Sequence, residues 1–311
     1  MNLPRLLIVL LLFPTSSFAQ DSLLHFNIEA QSIYTSNDQV TFWLRSNQYG
    51  SIPLSGPSSS FIGRFRKDYN PNSKRHINFG LGFEARASLG NASQALITEA
   101  YGKVKAGVFE LKAGRSKDVT GLVGDSSLSS GSFSISGNAL GVPKVQVSIP
   151  DYYSLPLFNK LLAIKGGLAH GWLGNVPMNG YIIESLPTFF HQSSLYGRIG
   201  RPSWRLKLYI GVNHQAFWGS SRAYYQPGHF NFSLLQEYWA VVTSQVVENS
   251  RIGNHLGSVD LGLDYHFNGF ILKAYRQNIY DYKALFRLAN LKDGLNGLTI
   301  VNTKVSKNGL H

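Results

Sequence analysis

The sequence predicts an all-β chain, a transmembrane antiparallel outer-membrane β-barrel with long plugging loops and a short loop helix, and three observations predict it. The first is His76 to Leu89, where Ile77, Phe79, Leu81, Phe83, Ala85, Ala87 and Leu89 alternate with Asn78, Gly80, Gly82, Glu84, Arg86 and Ser88. Successive side chains of a strand point to opposite faces, so this is a ribbon with one apolar and one polar face. At roughly 3.3 Å per residue and a tilt of roughly 45°, its height is about 30 Å, one bilayer hydrocarbon core. The second is a secretory signal over residues 1 to 19, with Arg5, an apolar run from Leu6 to Phe13, and Ser17-Phe18-Ala19 before the expected cleavage, leaving 20–311 as one barrel domain. The third is composition: 31 Gly, 16 Tyr, 19 Phe and only 15% charged residues, against the quarter typical of soluble domains. Pro14 cuts the leader short of a spanning helix, and no later segment reaches 18 uninterrupted apolar residues.

Taken in order, Phe26 to Tyr34 alternates and reads as a first strand, with a turn at 35–38. Val40 to Pro53 reads as a short strand running into a polar loop that continues through Ser55–Ser60. Arg64, Arg66, Lys67, Lys74 and Arg75 form a basic run before the long strand. Gly90 to Ser93 turns into Ala95–Ala106, and Val108–Gly114 follows, a meander of antiparallel neighbours. Ser116 to Val142, rich in Gly and Ser and without period, reads as a long loop, of a length that is functional or disordered. Strands resume at Lys144–Ile149, Leu161–Trp172 and Ser203–Asn213, with a loop expected over 173–193. Gly257–Phe267 and the strand from Phe270 flank Asn268-Gly269, expected as a type I′ turn. Ser233 to Gln236 fits a capping box, and Leu234, Leu235, Tyr238, Trp239, Val242 and Val246 recur at helical spacing, a loop helix over or inside the barrel mouth. Ten to twelve strands with one apolar face each favour a barrel over a sandwich, which closes at about seven strands. Thr303 to His311 carries no aromatic closing strand.

No cysteine is present, which excludes disulfides, thiolate metal sites and thiol nucleophiles. The nine histidines form no H-x-x-x-H or H-E-x-x-H pattern, so neither metal nor cofactor is expected. His191-Gln192-Ser193-Ser194 is the one neighbourhood where a Ser and a His could serve a lipid-modifying barrel enzyme; the expectation is nonetheless a non-enzymatic protein. The formal charge is +12, and +11 without Arg5, which favours anionic partners: lipopolysaccharide phosphate or an acidic glycan, with nucleic acid excluded by export. Trp43, Arg45, Gln48 and Tyr49, expected beside the basic run with Arg64 and Arg66, are the candidate polysaccharide-binding residues: rings that stack on sugars, and cations and amides that pair with carboxylates and hydroxyls.

Several stretches, in this order, resemble the capsule-assembly Wzi family of outer-membrane proteins in its Bacteroidetes-like form. They are Phe42–Pro53, Glu99–Gly102 with Ala113–Arg115, Leu128–Ser132 with Ser136–Ala139, Gly166–Trp172, and Tyr275–Gln277 with Lys292–Leu295. The resemblance implies a large barrel closed by loops and helices that holds capsular or exopolysaccharide at the cell surface as a lectin; against it this chain looks short at its C-terminal end, so that either final strands are missing or the barrel closes with fewer strands. A porin-like or substrate-specific channel is the alternative reading.

Overall fold

The computed structural model describes residues 23–36, 38–70, 76–122, 131–178, 184–220, 232–247, 250–281 and 292–304. The signal segment, Lys74, Arg75 and Leu128–Ser130 lie outside the described residues. The strands are β1 (Leu24–Ile33), β2 (Ser58–Lys67), β3 (Ile77–Gly90), β4 (Gln94–Ala106), β5 (Phe109–Arg115), β6 (Lys144–Ser154), β7 (Leu162–Pro177), β8 (Ser185–Ile199) and β9 (Leu206–Trp218). There follow a two-residue pair, β10 (Val246–Val247) and β11 (Ser250–Arg251), and then β12 (Asn254–Phe267), β13 (Phe270–Asp281) and β14 (Leu295–Asn302). All but β10 and β11 form one twelve-stranded sheet in which every neighbour is antiparallel, ordered β1 to β9, then β12, β13 and β14. Among the described residues β1 pairs with β2 alone and β14 with β13 alone.

The distribution of polarity is inverted relative to a soluble domain. Phe79, Phe83, Leu111, Val147, Leu168, Leu195, Ile210, Val212, Leu261, Leu298 and Ile300 are exposed on the outer face, while Glu84, Arg86, Lys144, Gln192, Asn213, Gln215, Asp260 and Gln277 are buried on the inner one. Leu195, the most exposed of them along β8, is 64% accessible. Water would not tolerate that outer surface, but hydrocarbon does, and antiparallel pairing from β1 to β14 satisfies the backbone between neighbours; this is the wall of a transmembrane barrel. No described helix is long and apolar enough to cross a membrane. The connections 34–57, 116–143, 219–253 and 282–294 share one end of the barrel, and the two-residue turns 107–108 and 268–269 share the other. Long loops mark the extracellular end of such barrels.

Four expectations are corrected. Residues 42–45 form a helix, α1 (Phe42–Arg45), rather than a strand, because Val40 is pinned by its N–H to Leu54 O at 2.9 Å and the chain turns at once. Arg64, Arg66 and Lys67 are not loop residues: β2 starts at Ser58, and its basic side chains read as a charge run because Arg64 and Arg66 face the lumen. The loop expected over 173–193 is mostly strand, with β7 running to Pro177 and β8 starting at Ser185. A register shift between Trp172 and Gly174 breaks the alternation, and the outward face of β8 at Phe189 and His191 is covered by α2, while pairing continues. In the turn after β12 only Gly269 has positive φ (89°), the pattern of a type II rather than a type I′ turn.

The second helix, α2 (Leu234–Val242), has the expected capping box: Ser233 Oγ accepts from Gln236 N, and Gln236 Oε1 accepts from Ser233 N at 2.7 Å. It lies outside the wall, against the outward face of β9, and not over or inside the barrel mouth as the sequence led us to expect. Val212 and Ala216 share a face of β9, and Ala216 is fully covered by Ala240 and Val241 together with Trp218 and Ile252. Glu237, wholly buried, accepts from Gly219 N and fixes the helix to the end of β9.

Candidate functional site

The inward face and the loop 116–142 build one polar site. At a bulge between Glu84 and Ala85, Thr98 is the extra residue of β4, and its hydroxyl donates to Glu84 Oε1 at 2.7 Å. Glu84 faces the lumen by the regular alternation of β3, and the bulge brings the Thr98 hydroxyl onto it. Arg64 donates from Nε to Glu84 Oε2 at 2.9 Å and from Nη1 to Glu29 Oε2 at 2.6 Å, while Lys117 Nζ from the loop donates to both Glu84 oxygens at 2.7 Å. Lys117 Nζ also stands 5.4 Å from the Tyr49 ring. Burial, Glu99 and Asp118 push the Tyr49 hydroxyl above its ordinary range, so it stays a neutral donor.

One residue on, Asp118 is clasped by Lys112 at 2.8 Å and Lys144 at 2.7 Å, and Ser116 Oγ donates to it at 2.8 Å. Burial works against its charge, but the two ammonium groups prevail and hold the carboxyl below its usual range. From Lys144 a chain of contacts runs across the wall: Nζ to Gln192 Oε1 at 3.1 Å, Gln192 Nε2 to Asn213 Oδ1 at 3.1 Å, and Asn213 Nδ2 to Ser134 Oγ. Gln215 Nε2 donates to Ser134 O.

The far side is Asp260, fully buried on β12. Its Oδ2 accepts from Leu122 N at 3.2 Å, Gln277 Nε2 at 2.9 Å and Tyr196 OH at 3.3 Å, and Gln277 Oε1 accepts from Phe133 N at 3.3 Å. Gly121 has φ 79°, and a Cβ there would collide with the Gln277 amide, so this turn of the loop needs glycine. The loop is therefore bonded to β3 at one end of its path and to β12 and β13 at the other. Cavities of ≈ 280 Å³ and ≈ 340 Å³ remain on its two sides, sharing Val119, Gly121 and Lys165 in their linings.

Of the six residues expected to form one polysaccharide patch, Trp43, Arg45, Gln48 and Tyr49 lie together at α1 and the turn after it, Arg64 connects to Tyr49 through Glu84 and Lys117, and Arg66 stands apart. Trp43 is 83% exposed on α1 and packs edge-on against Phe42 at 5.5 Å. Arg45 Nε is engaged with Val40 O at 3.1 Å. The 47–49 turn is stitched to the loop, with Asn47 N on Asn138 Oδ1 at 2.8 Å and Tyr49 N on Gly137 O at 2.6 Å; Gln48 N donates to Arg45 O. Arg64 belongs to the Glu84 network, and Arg66, paired with Asp68 at 2.8 Å, sits eight residues along β2 from Ser58. That is about 26 Å from the α1 end, near the opposite end of the barrel. The sequence reading missed Asp118, Lys144, Asp260 and Gln277; the only signal was polar residues at lumen-facing positions.

His191 lies on the outward face of β8, in register with His170 and Ala216 and covered by Tyr238 of α2, and Ser193 is in register with His214. Among the described residues no three His, Asp or Glu side chains are grouped to hold a metal.

No family model and no curated protein matches the chain. Among solved structures it is similar to the Pseudomonas aeruginosa OccK2 (OpdF), at 12% identity over 83% of this chain and 63% of that one, with a TM-score of 0.27. It is also similar to the outer membrane protein OprD from Pseudomonas aeruginosa (12%, 84% and 58%, TM-score 0.30) and to OmpT of Vibrio cholerae (10%, 84% and 78%, TM-score 0.32). The chain spans about three-fifths of the length of the first of these.

Proposed function

We propose that this chain is a porin-like outer-membrane channel whose pore is narrowed and gated in size by its own loop 116–142. The observation that carries this reading is the double anchorage of the loop, Lys117 on Glu84 and Leu122 on Asp260, with an open cavity on each side. A loop bonded across a polar lumen leaves paths sized for small solutes rather than a wide aqueous hole. Purified protein in planar bilayers is expected to give small, stable single-channel currents that grow when Asp260→Ala and Lys117→Ala release the loop. Absence of current from both forms would sink the reading.

A second reading keeps the capsule-assembly resemblance: a non-enzymatic lectin-like protein that holds acidic capsular or exopolysaccharide at the cell surface. The specific observation favouring it is Trp43, 83% exposed at the long-loop end with its ring free to stack on sugars. Since Arg45 caps Val40, the clean probe is Trp43→Ala alone. Release of polymer into the medium, with total polymer unchanged, would favour this reading over the channel.

A further inference from the structure

Several lumenal cations of this barrel are answered by carboxylates. Lys112 and Lys144 share Asp118, Arg64 and Lys117 share Glu84, Lys105 meets Asp151 at 3.3 Å and Lys103 lies 4.0 Å from Asp68. Lys165, inward on β7 and half-buried, makes no ion pair among the described residues. Its ammonium stands instead between two aromatic rings, 5.6 Å from the Tyr152 centroid and 5.8 Å from that of Tyr196. The hydroxyl of Tyr196 is committed to Asp260, and that of neighbouring Tyr209 donates to Asp264 at 2.9 Å, so what these tyrosines offer the cavities is ring surface. Tyr152 and Tyr209 pack at 5.3 Å and extend that surface along the second cavity.

A cation shared by two open cavities and walled by aromatic faces has the components of a ligand site: one charge to orient, and apolar area to bind the body of a solute. We propose that Lys165 is an anion-binding subsite of the pore, and that it takes small organic carboxylates of sugar-acid size, the carboxylate on the ammonium and the carbon skeleton against Tyr152 and Tyr196. The proposal rests on the channel reading for the access of solutes to the lumen, but its own content is binding. Cavities of ≈ 280 and ≈ 340 Å³ lie at the small end for ligand pockets and exclude a polymer from the subsite itself. The loop residues Val119 and Gly121 border both, so the subsite lies where a solute passes the loop.

The test uses the detergent-solubilised full chain, with sodium gluconate as the probe and sorbitol, an uncharged polyol of the same carbon number, as its control. Isothermal calorimetry is expected to detect gluconate and not sorbitol. Lys165→Gln should weaken gluconate binding at least about tenfold, and Lys165→Arg should retain it. Heat-dependent gel migration confirms that each variant is folded. Equal gluconate binding by wild type and Lys165→Gln, no binding by either, or equal binding of sorbitol overturns the proposal. Bilayer currents judge the channel separately: gluconate binding that depends on Lys165 in a protein without conductance would leave the subsite standing and remove the channel.

Discussion

The carboxylate of Asp260 accepts a hydrogen bond from the backbone N–H of Leu122 at 3.2 Å, across 138 residues of chain. The contact fixes Leu122, in the loop that follows β5, to a buried acid on β12. Removing the acid leaves the Leu122 amide, the Gln277 amide and the Tyr196 hydroxyl each short of an acceptor, at a cost of about 1–3 kcal/mol for the anchor. The chain has no cysteine, so an engineered pair reports on it alone. A Cβ at position 262 would stand 2.9 Å from Leu122 Cδ1. Leu122→Cys with Gly262→Cys should therefore form a disulfide under mild oxidation, seen as a gel shift, and adding Asp260→Ala should slow its formation. An unchanged rate would mean that the loop stays in place without the acid.

The two faces of the wall give opposite expectations for charge. Leu81 lies outward between Phe79 and Phe83, so Leu81→Arg places a cation against lipid at roughly 2–4 kcal/mol near the midplane. Lys207, inward on β9, should tolerate Gln with little effect. Folded fraction is read from heat-modifiable migration on gels. Equal folded fractions for the two variants would show that the faces are assigned the wrong way round.

How much of this was legible in the sequence depends on the physics that sets each feature. The faces of β3, β5 and β12 were readable because lipid demands an apolar residue at every second position, and no other force competes there. Beyond Trp172 that demand ends, and Phe189 and His191 gave no periodic signal although the pairing continues. The capping box announced α2, because a cap is a local hydrogen-bond pattern; its seat outside the wall follows from Ala216, a small residue that leaves room for Ala240, and no local pattern encodes that. Asp118, Lys144, Asp260 and Gln277 were visible as polar, inward positions, but their pairing depends on the path of a loop with no period of its own. Trp43 and Arg66 were adjacent in the reading because the basic run seemed to be loop; once Arg66 is seen on β2, strand rise alone separates them.

Helix α2 carries a further expectation. Its inner face is buried by Glu237, Ala240 and Val241, yet Leu234, Leu235 and Trp239 remain 49%, 77% and 61% exposed. The helix covers Ala216, four residues or about 13 Å above the lipid-facing Val212 on the same strand, the level at which aromatic residues gather in membrane interfaces. A nitroxide at Leu235→Cys should accordingly collide more often with oxygen, which partitions into lipid, than with a water-soluble nickel chelate. The reverse ratio in lipid vesicles would place α2 in water.

The last expectation concerns acid. In the anchored loop, burial of Asp118 is outweighed by Lys144 and Lys112, and its carboxyl lies below the ordinary carboxylate range. In a released loop the same group returns to that range. A carboxyl whose value is lower in the anchored state stabilises anchorage fully above the ordinary range, and that stabilisation is lost as pH falls through the depressed value. Near neutral pH the Asp118 clamp is therefore complete. It should loosen only in acid below the range where free aspartates titrate, when the protonated carboxyl leaves Lys112 and Lys144 facing each other without a counter-charge. Single-channel conductance should rise reversibly over that acid window, and Asp118→Asn should show the raised value already at neutral pH with a correspondingly smaller acid response. An acid response of full size in Asp118→Asn would assign the effect to another carboxylate.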